Sequence, residues 1–537
     1  MKSKFNDIQI PTDVSLSEFI LQNLRKHAEP GKVALVRDDT GEETTYLQLL
    51  DQVTTLARSL QHRGLVKGDI VSIICANSPE FPVMTLAVLL AGGIVNALSP
   101  LYTLYEISEQ LQDVGPKFIF AMTDIIDTVD KAVKLCRQVK EVFVIGSSSG
   151  RHMTYSDLLR ENTPRLQHVA VDPTHDVAVL IYSSGTSGCP KGVMLTHRNV
   201  VANILQHSVT EIMGGAGRQE VYLCVPPFFH CFGLVIVLLF GLTQGHKLVT
   251  IARFHFEKYL DAIQRHKATI LHVAPPVVIQ LLKSPLVSRP VMSSVHTLLC
   301  GAAPLSANVT RQLKTKLKDV VVRQGYGMTE AGPGTHMSPG SKQKPGSVGV
   351  SVPNTECKVV NVETGRDQPP HKYGELCVRG PQVMLGYRNN PAQTRAIIDK
   401  DGWLHTGDVG FYDIEGYFYI VDRLKAIIKY KGFQVSPAWL EGILLTHPLI
   451  ADAAVVSVPD TEAGELPRAF VVKKAEGDVL TEADVIQYVA DRVSPHRRLH
   501  GGVVFVASIP RSRTGKILRR MLSERLAAGT LETKSKL

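Results

Sequence analysis

The stretch YSSGTSGCPKGVMLTH, Tyr182 to His197, packs Ser183, Ser184, Thr186 and Ser187 around Gly185, Gly188 and Gly192, and Lys191 follows a proline directly. Glycines let backbone N–H groups approach an anion, hydroxyls add neutral donors, and one lysine adds a point charge, so the stretch reads as a phosphate-holding loop. The P-loop NTPase pattern needs Gly-Lys followed by Ser or Thr at a helix start. Here the order is Pro-Lys-Gly, and Val193 to Leu195 read as a strand. A different phosphate-handling site is expected. Val177 to Tyr182 reads as a strand running into the loop and Asn199 to Val209 as a helix after it, which sets the loop at a strand's carboxyl end, where α/β sheets bind ligands.

Helical periodicity is clear in Leu47, Leu50, Val53, Leu56, Ala57 and Leu60, with Gly64 as the stop. Strand Asp69 to Ile74, helix Glu80 to Leu90, strand Lys117 to Ala121, helix Asp127 to Gln138 and strand Glu141 to Ile145 follow. Such alternation predicts parallel sheets covered by helices. Past residue 340 glycine and proline punctuate short strands such as Cys357 to Asn361 and Glu375 to Val378. A last α+β unit begins near Asp422. It has a helix opened by Ser436-Pro437, strands Ala453 to Val458 and Arg468 to Lys473, a helix after Thr481, strand Val503 to Ala507 and a final helix from Ile517.

At 537 residues, two or more domains are expected. With 44% hydrophobic and 20% charged residues the composition is that of a soluble globular protein. The net charge of +9 is moderate, and the basic C-terminal part (Arg497, Arg498, Arg511, Arg513, Lys516, Arg519, Arg520) suits a phosphorylated small ligand or a solvated face. Without interleaved aromatics, nucleic acid is not expected as a partner. Eight cysteines without a CxxC pair argue against a zinc site or a disulfide scaffold. The amino-terminal segment lacks the apolar run of a secretory signal. The apolar stretches Phe81 to Leu101 and Cys231 to Ile251 are broken by glycines and polar residues, so each is expected to be a buried helix followed by a strand, with no membrane span. The last three residues, Ser535-Lys536-Leu537, match a receptor-read peroxisomal address, so a peroxisomal import receptor is an expected partner and the peroxisome the expected location.

Further polar stretches interrupt the apolar texture: PPFFHCFG (Pro226 to Gly233), CGAAPLS (Cys300 to Ser306), QGYGMTEAGPG (Gln324 to Gly334), GWLHTGD (Gly402 to Asp408), DRLKAIIKYKGFQVSP (Asp422 to Pro437) and PRSRTGKILRR (Pro510 to Arg520). Together with YSSGTSGCPKG and in this order, the set closely resembles the adenylate-forming superfamily, in the branch of 4-coumarate-CoA ligases, firefly luciferases and related acyl-CoA synthetases. The resemblance covers almost the whole chain. It implies an α/β fold with a large N-terminal domain, residues 1–421, of helix-covered sheets plus a β-barrel-like part. A hinge at 422–425 and a small mobile α+β C-terminal domain at 426–537 complete it.

The reaction so implied has two steps. A carboxylic acid and Mg-ATP give an acyl-adenylate and pyrophosphate, and the thiol of coenzyme A then displaces AMP to form a thioester. By the same resemblance, Ser183, Ser184, Gly185, Thr186, Ser187, Gly188 and Lys191 would hold the β- and γ-phosphates. Thr329 and Glu330 would lie near the α-phosphate, with Glu330 the ligand for Mg²⁺, a hard cation that takes few oxygens from protein. Gln324, Gly325 and Tyr326 with Ala303 would wall the adenine, while Asp408 and Arg423 would bind the ribose. Lys516 matches the adenylation lysine and Lys425 the hinge. Lys429 and Gln434 match positions contacting the adenylate when the small domain has turned, and Lys431 and Gly432 positions contacting coenzyme A. Arg253 matches a basic position near coenzyme A phosphate. His230 matches the histidine at the acyl-binding wall, and the acyl pocket would be formed by Phe229, Phe232, Ile236, Ala302, Gly327, Met328 and Pro333.

Hydroxycinnamate ligases tend to carry hydroxyls where this chain has Phe232 and Ile236. A buried phenol would lack partners there, at a cost of about 1–3 kcal/mol, so an acid other than 4-coumarate is expected. The alternatives at this stage are a luciferase-like monooxygenase acting on its own adenylate, and a non-catalytic nucleotide or acyl-chain binder.

Overall fold

The computed structural model describes residues 1–147, 150–183, 190–210, 219–424, 426–431, 433–475, 479–493, 495–511 and 515–527. Residues 184–189 of the opening loop, Lys425, Gly432 and the 535–537 tripeptide fall outside them, as does the side chain of Gln434.

Helix Tyr46–His62 shows how local sequence sets an element. Thr45 caps it by accepting from the Gln48 N–H while Gln48 returns the bond, and Leu49, Val53, Leu56, Ala57 and Leu60 bury one stripe. Gly64 then turns at φ +91°, the stop foreseen from sequence. Helix Glu80–Leu90 is buried nearly all round and leads into strand Ile94–Leu98. The second apolar stretch likewise becomes helix and strand, and no described helix is long and apolar enough to cross a membrane.

Two large sheets form the body. In the seven-stranded sheet, Glu141–Ile145, Phe118–Met122, Ile70–Ile74, Ile94–Leu98 and Val177–Ser183 run parallel, and Lys191–Thr196 returns antiparallel beside the last of these. The opening loop therefore joins two neighbouring strands. In the nine-stranded sheet, Val221–Cys224, Ile270–Val273, Thr297–Cys300 and Val321–Gly327 lie parallel, and Gly334–Met337 folds back along the last. The part expected to be barrel-like is an antiparallel four-stranded sheet, Glu356–Val360, Gly374–Arg379, Leu404–Tyr412 and Phe418–Arg423.

The last of those strands ends at Arg423, and a five-stranded sheet opens at Ile428–Tyr430. Ile428, Val455, Val471 and Val485 are among the side chains of its separate core. The seven described cysteines are buried and unpaired, as small core residues.

Some expected elements are shorter: the strand foreseen over Val503 to Ala507 ends at Phe505, and the last helix starts at Arg519 rather than Ile517. The helix foreseen over Asp127 to Gln138 spans Ile126–Val133, because the Leu135 and Cys136 N–H groups bond back to Ala132 and Val133 and close a turn.

Candidate active site

A cleft of about 420 Å³ lies between the large body and the C-terminal unit. One wall is the turn after strand Thr297–Cys300, where Ala302 adopts φ +70°, a conformation L side chains rarely take. Gln324 holds that turn by accepting from the Leu305 N–H at 3.1 Å. Its side chain thus shapes the wall from behind, while Ala303, Gly325 and Tyr326 line the cleft.

Asp408 enters from strand Leu404–Tyr412 and is buried. It accepts from the Tyr326 hydroxyl at 2.7 Å and faces Arg423 Nε at 3.4 Å. Burial raises its pKa, and Arg423 and the Tyr326 hydroxyl oppose that rise. The turn before Asp408 is braced, since Glu375 accepts from the Gly407 N–H at 2.9 Å and also bonds His405 Nδ1 at 2.9 Å. A carboxylate held this firmly suits a pair of vicinal hydroxyls.

Glu330 is also buried, and its Oε1 accepts from Ser183 Oγ at 2.9 Å and from the Tyr387 hydroxyl at 2.8 Å. Its Oε2 has no protein partner among the described residues, so a carboxylate oxygen is available to a hard cation. Lys191 donates to Gln393 Oε1 at 2.8 Å and lies 5.0 Å over the Tyr387 ring. Ser183, Lys191 and Glu330 thus meet around Tyr387, a residue that sequence reasoning missed because it lies far along the chain in a stretch with no motif.

A second cavity of about 150 Å³ opens beside the cleft. Phe232 and Ile236 enter it from the π-helical segment Phe232–Leu239, and Ala302, Gly327, Met328 and Pro333 complete the expected lining. That segment seats closely because Gly233 lies against the Pro227 carbonyl, which an added Cβ would meet at 2.0 Å. Phe229 does not line the cavity. It packs against the main core instead, being outside the helical segment that aims Phe232 and Ile236 inward. Sequence reasoning also missed His207, Leu299 and Met337, which reach the cavity from a helix and two strands.

His230 stands at the cavity wall, and burial, reinforced by Lys516, lowers its pKa to about 4, so the ring is neutral at physiological pH. Cys231 contacts Thr329 Oγ1 at 3.4 Å, and burial pushes its thiol up to about 12, which leaves it no role as a thiolate nucleophile.

The two cavities share Ala302, Gly325, Tyr326, Gly327, Arg423 and Lys516. Lys516 thus stands where a ligand in one would meet a ligand in the other. Burial, with Arg423 nearby, lowers its pKa to about 8, against the pull of Asp408 and Glu330.

Other expected residues lie elsewhere. Lys429 and Lys431 are exposed on the hairpin of the C-terminal sheet and line neither cavity. Arg253 is 81% exposed beside Asp124, also outside both cavities, because it sits on a surface turn after strand Lys247–Thr250.

Known proteins resemble the chain over nearly its whole length. The family described as AMP-binding enzyme matches residues 24–388, and the AMP-binding enzyme C-terminal domain matches residues 440–516. A probable 4-coumarate–CoA ligase 1 of Dictyostelium discoideum is 37% identical, the match covering 97% of this chain and 97% of that protein. The 4-coumarate–CoA ligase 1 of Petroselinum crispum is 39% identical over 99% of this chain and 97% of its own. Among solved structures, ATP-bound MatB from Rhodopseudomonas palustris aligns with a TM-score of 0.86 at 28% identity, covering 95% of this chain and 99% of that one. The anthranilate CoA ligase AuaEII with anthranoyl-AMP aligns with a TM-score of 0.88 at 25% identity, over 97% and 99%.

Proposed function

The chain belongs to the AMP-binding enzymes of the adenylate-forming superfamily, and from that premise we propose that it is an ATP-dependent acyl- or aryl-CoA ligase. The observation that carries this reading is the junction: two neighbouring cavities, one walled by Asp408 and Tyr326 and the other by Phe232 and Ile236, meet at Lys516. A carboxylic acid seated in the cavity points its carboxylate at Lys516, and ATP in the cleft brings its α-phosphate to the same place. One carboxylate oxygen attacks that phosphorus and the bond to the β-phosphate bridging oxygen breaks. Pyrophosphate leaves with its electron pair. Lys516 lowers the repulsion between two anions and stabilises the charge that builds on the phosphorus.

Asp408, with Tyr326 and Arg423 fixing it, orients the ribose, and Ser183 and Lys191 stand at the two ends of the loop that would hold the departing phosphates. Glu330 would hold Mg²⁺, which would supply neutralising charge on the phosphates. In the second step the coenzyme A thiol loses its proton and attacks the acyl carbon, and AMP leaves. Neutral His230 beside the acyl group can accept a hydrogen bond from the incoming thiol.

The acid itself is read from the cavity. Phe232 and Ile236 offer no hydroxyl to a phenol, so apolar aromatic or aliphatic acids should exceed 4-coumarate several-fold in kcat/KM. A panel of aromatic acids and short- to long-chain fatty acids, assayed for thioester formation and for coenzyme A dependence of AMP release, tests both levels. A preference for 4-coumarate over every apolar acid would overturn the pocket reading, and AMP release that ignores coenzyme A would overturn the ligase reading. We further propose that Ser535-Lys536-Leu537 directs the chain to peroxisomes. Removing these residues should leave purified activity unchanged and disperse the protein in the cytosol, as imaging of the tagged chain would show.

A further inference from the structure

Helix Pro275–Lys283 touches the C-terminal unit at both of its ends. At its start, Pro276 lies against Gly515, where an added Cβ would meet the proline ring at 3.2 Å. At its end, Lys283 Nζ donates to the Ile450 and Ala451 carbonyls at 3.0 and 3.3 Å, at the opening of strand Ile450–Asp460. The helix is itself anchored to the body, since Lys316 Nζ donates to the Leu282 and Ser284 carbonyls at 2.9 and 2.6 Å. Val277, Val278 and Leu281 bury its inner face.

The Lys283 contact continues directly to the reacting lysine. Asp452, next after Ala451, accepts from Arg511 Nη2 at 2.7 Å and Nε at 3.2 Å. Arg511 Nη1 donates to the Gly515 carbonyl at 2.9 Å, one residue before Lys516. An anchored helix, two backbone carbonyls, an ion pair and one more carbonyl thus make an unbroken path from the body to the Lys516 backbone.

We propose that Lys283 is a positioning residue for adenylation, a latch that holds the C-terminal unit in the pose that inserts Lys516 between the two cavities. The inference rests on the ligase reading. It adds that the latch is a charged donor on backbone carbonyls. Such a contact forms wherever those carbonyls are brought to the helix end, and it must break if the unit turns to offer its other face. Lys283 touches neither cavity and moves no proton in the reaction.

The test compares Lys283→Met, which keeps the apolar stem and removes the donors, with Lys283→Arg, which keeps charge and donors. With an accepted acid, Lys283→Met should slow adenylate formation about tenfold, roughly the loss of a charged hydrogen-bond pair, with KM for ATP unchanged. Thioester formation from supplied acyl-adenylate and coenzyme A should stay at the wild-type rate, and Lys283→Arg should recover most of the adenylation. Fluorophores carried by azide-bearing residues at exposed Val66 and Val479 read the pose without any chemistry. With ATP present, Lys283→Met should depopulate the distance seen in the wild type and Lys283→Arg should restore it. Equal loss of both half-reactions, or no change in either half-reaction and in the distance distribution, would overturn the latch. If the wild type adenylates no acid at all, the ligase reading falls, and the fluorophore distances still decide whether Lys283 holds the pose.

Discussion

The C-terminal unit carries two lysine-bearing stretches whose surroundings differ sharply. Lys516 sits in a partly buried stretch whose neighbour Gly515 is pressed against Pro276, and it lines both cavities. Lys429 and Lys431, on the hairpin formed by Ile428–Tyr430 and Phe433–Val435, stand in solvent, with the hairpin braced by Tyr430 stacked 4.4 Å from His500. One ammonium is largely desolvated ahead of any reaction and the others keep their water. Desolvated charge acts strongly on a nearby reacting group, whereas solvated charge is screened. On the proposed ligase reading, this pose would serve one chemical step and leave the second set of cations for the other. A rotation between Arg423 and Ile428 would exchange them.

The largest expected effect tests the buried face. Lys516→Ala should lower adenylate formation by roughly two orders of magnitude, the usual scale for a preorganised charge contact. The same variant should still convert supplied acyl-adenylate and coenzyme A to thioester. Measuring the two half-reactions separately checks this, and equal damage to both would erase the distinction between the faces.

A pH profile sharpens the contrast. Burial places the Lys516 pKa at about 8, below the ordinary 10.5. Below about pH 8 the lysine is protonated in folded and unfolded chains alike, and the folded chain bears the cost of burying that charge. Between about 8 and 10.5 the unfolded state binds more protons, so stability rises with pH as the buried group discharges. Adenylation moves the opposite way because it needs the ammonium. kcat/KM for ATP, which reports the free enzyme, should fall about tenfold per pH unit above about 8. Lys516→Arg, which stays charged, should shift that limb upward. The thioester step, begun from supplied adenylate, should lack it.

These expectations rest on a site only partly readable beforehand. The alternation of helix and strand was legible because a parallel sheet must be covered on both faces, and each crossover leaves its own apolar period in the chain. The stretches that carry Ser183, Lys191, Thr329-Glu330, Asp408 and Lys516 stood out because polar, glycine-rich runs interrupt that texture, and the family resemblance then singled out these residues, which the structure places at the two cavities or beside Glu330. Tyr387, which bonds Glu330, and His207 at the second cavity were not legible, because long-range packing brings them in and nothing local marks them. The same holds for Lys283, which reads as an ordinary basic helix end. Phe229 and Phe232 look equivalent in PPFFHCF, yet only the second joins the segment that faces the cavity. Gln324 was expected as adenine wall, and its side chain is engaged behind that wall by the Leu305 N–H.

The smallest expected effect belongs to the solvated face. In the present pose the Lys429 N–H donates to Glu465 at 2.7 Å, and its side chain is exposed. Alanine there removes nothing that supports the hairpin or the cleft, so adenylation should keep its wild-type rate and folding should be unaffected, as surface substitutions usually are. If the unit turns to bring this edge over the adenylate, the lysine gains a phosphate to contact only then. Lys429→Ala should accordingly slow thioester formation about three- to tenfold, the scale of one charged hydrogen bond at a partly exposed site. Because the charge is screened until the turn is made, the loss should shrink as salt is raised toward 0.5 M, where the screening length falls to about 4 Å. Lys516→Ala, acting in a buried junction, should show little salt dependence. A Lys429→Ala chain that loses adenylation first, or a salt response shared by both variants, would mean that the two faces are not used in turn.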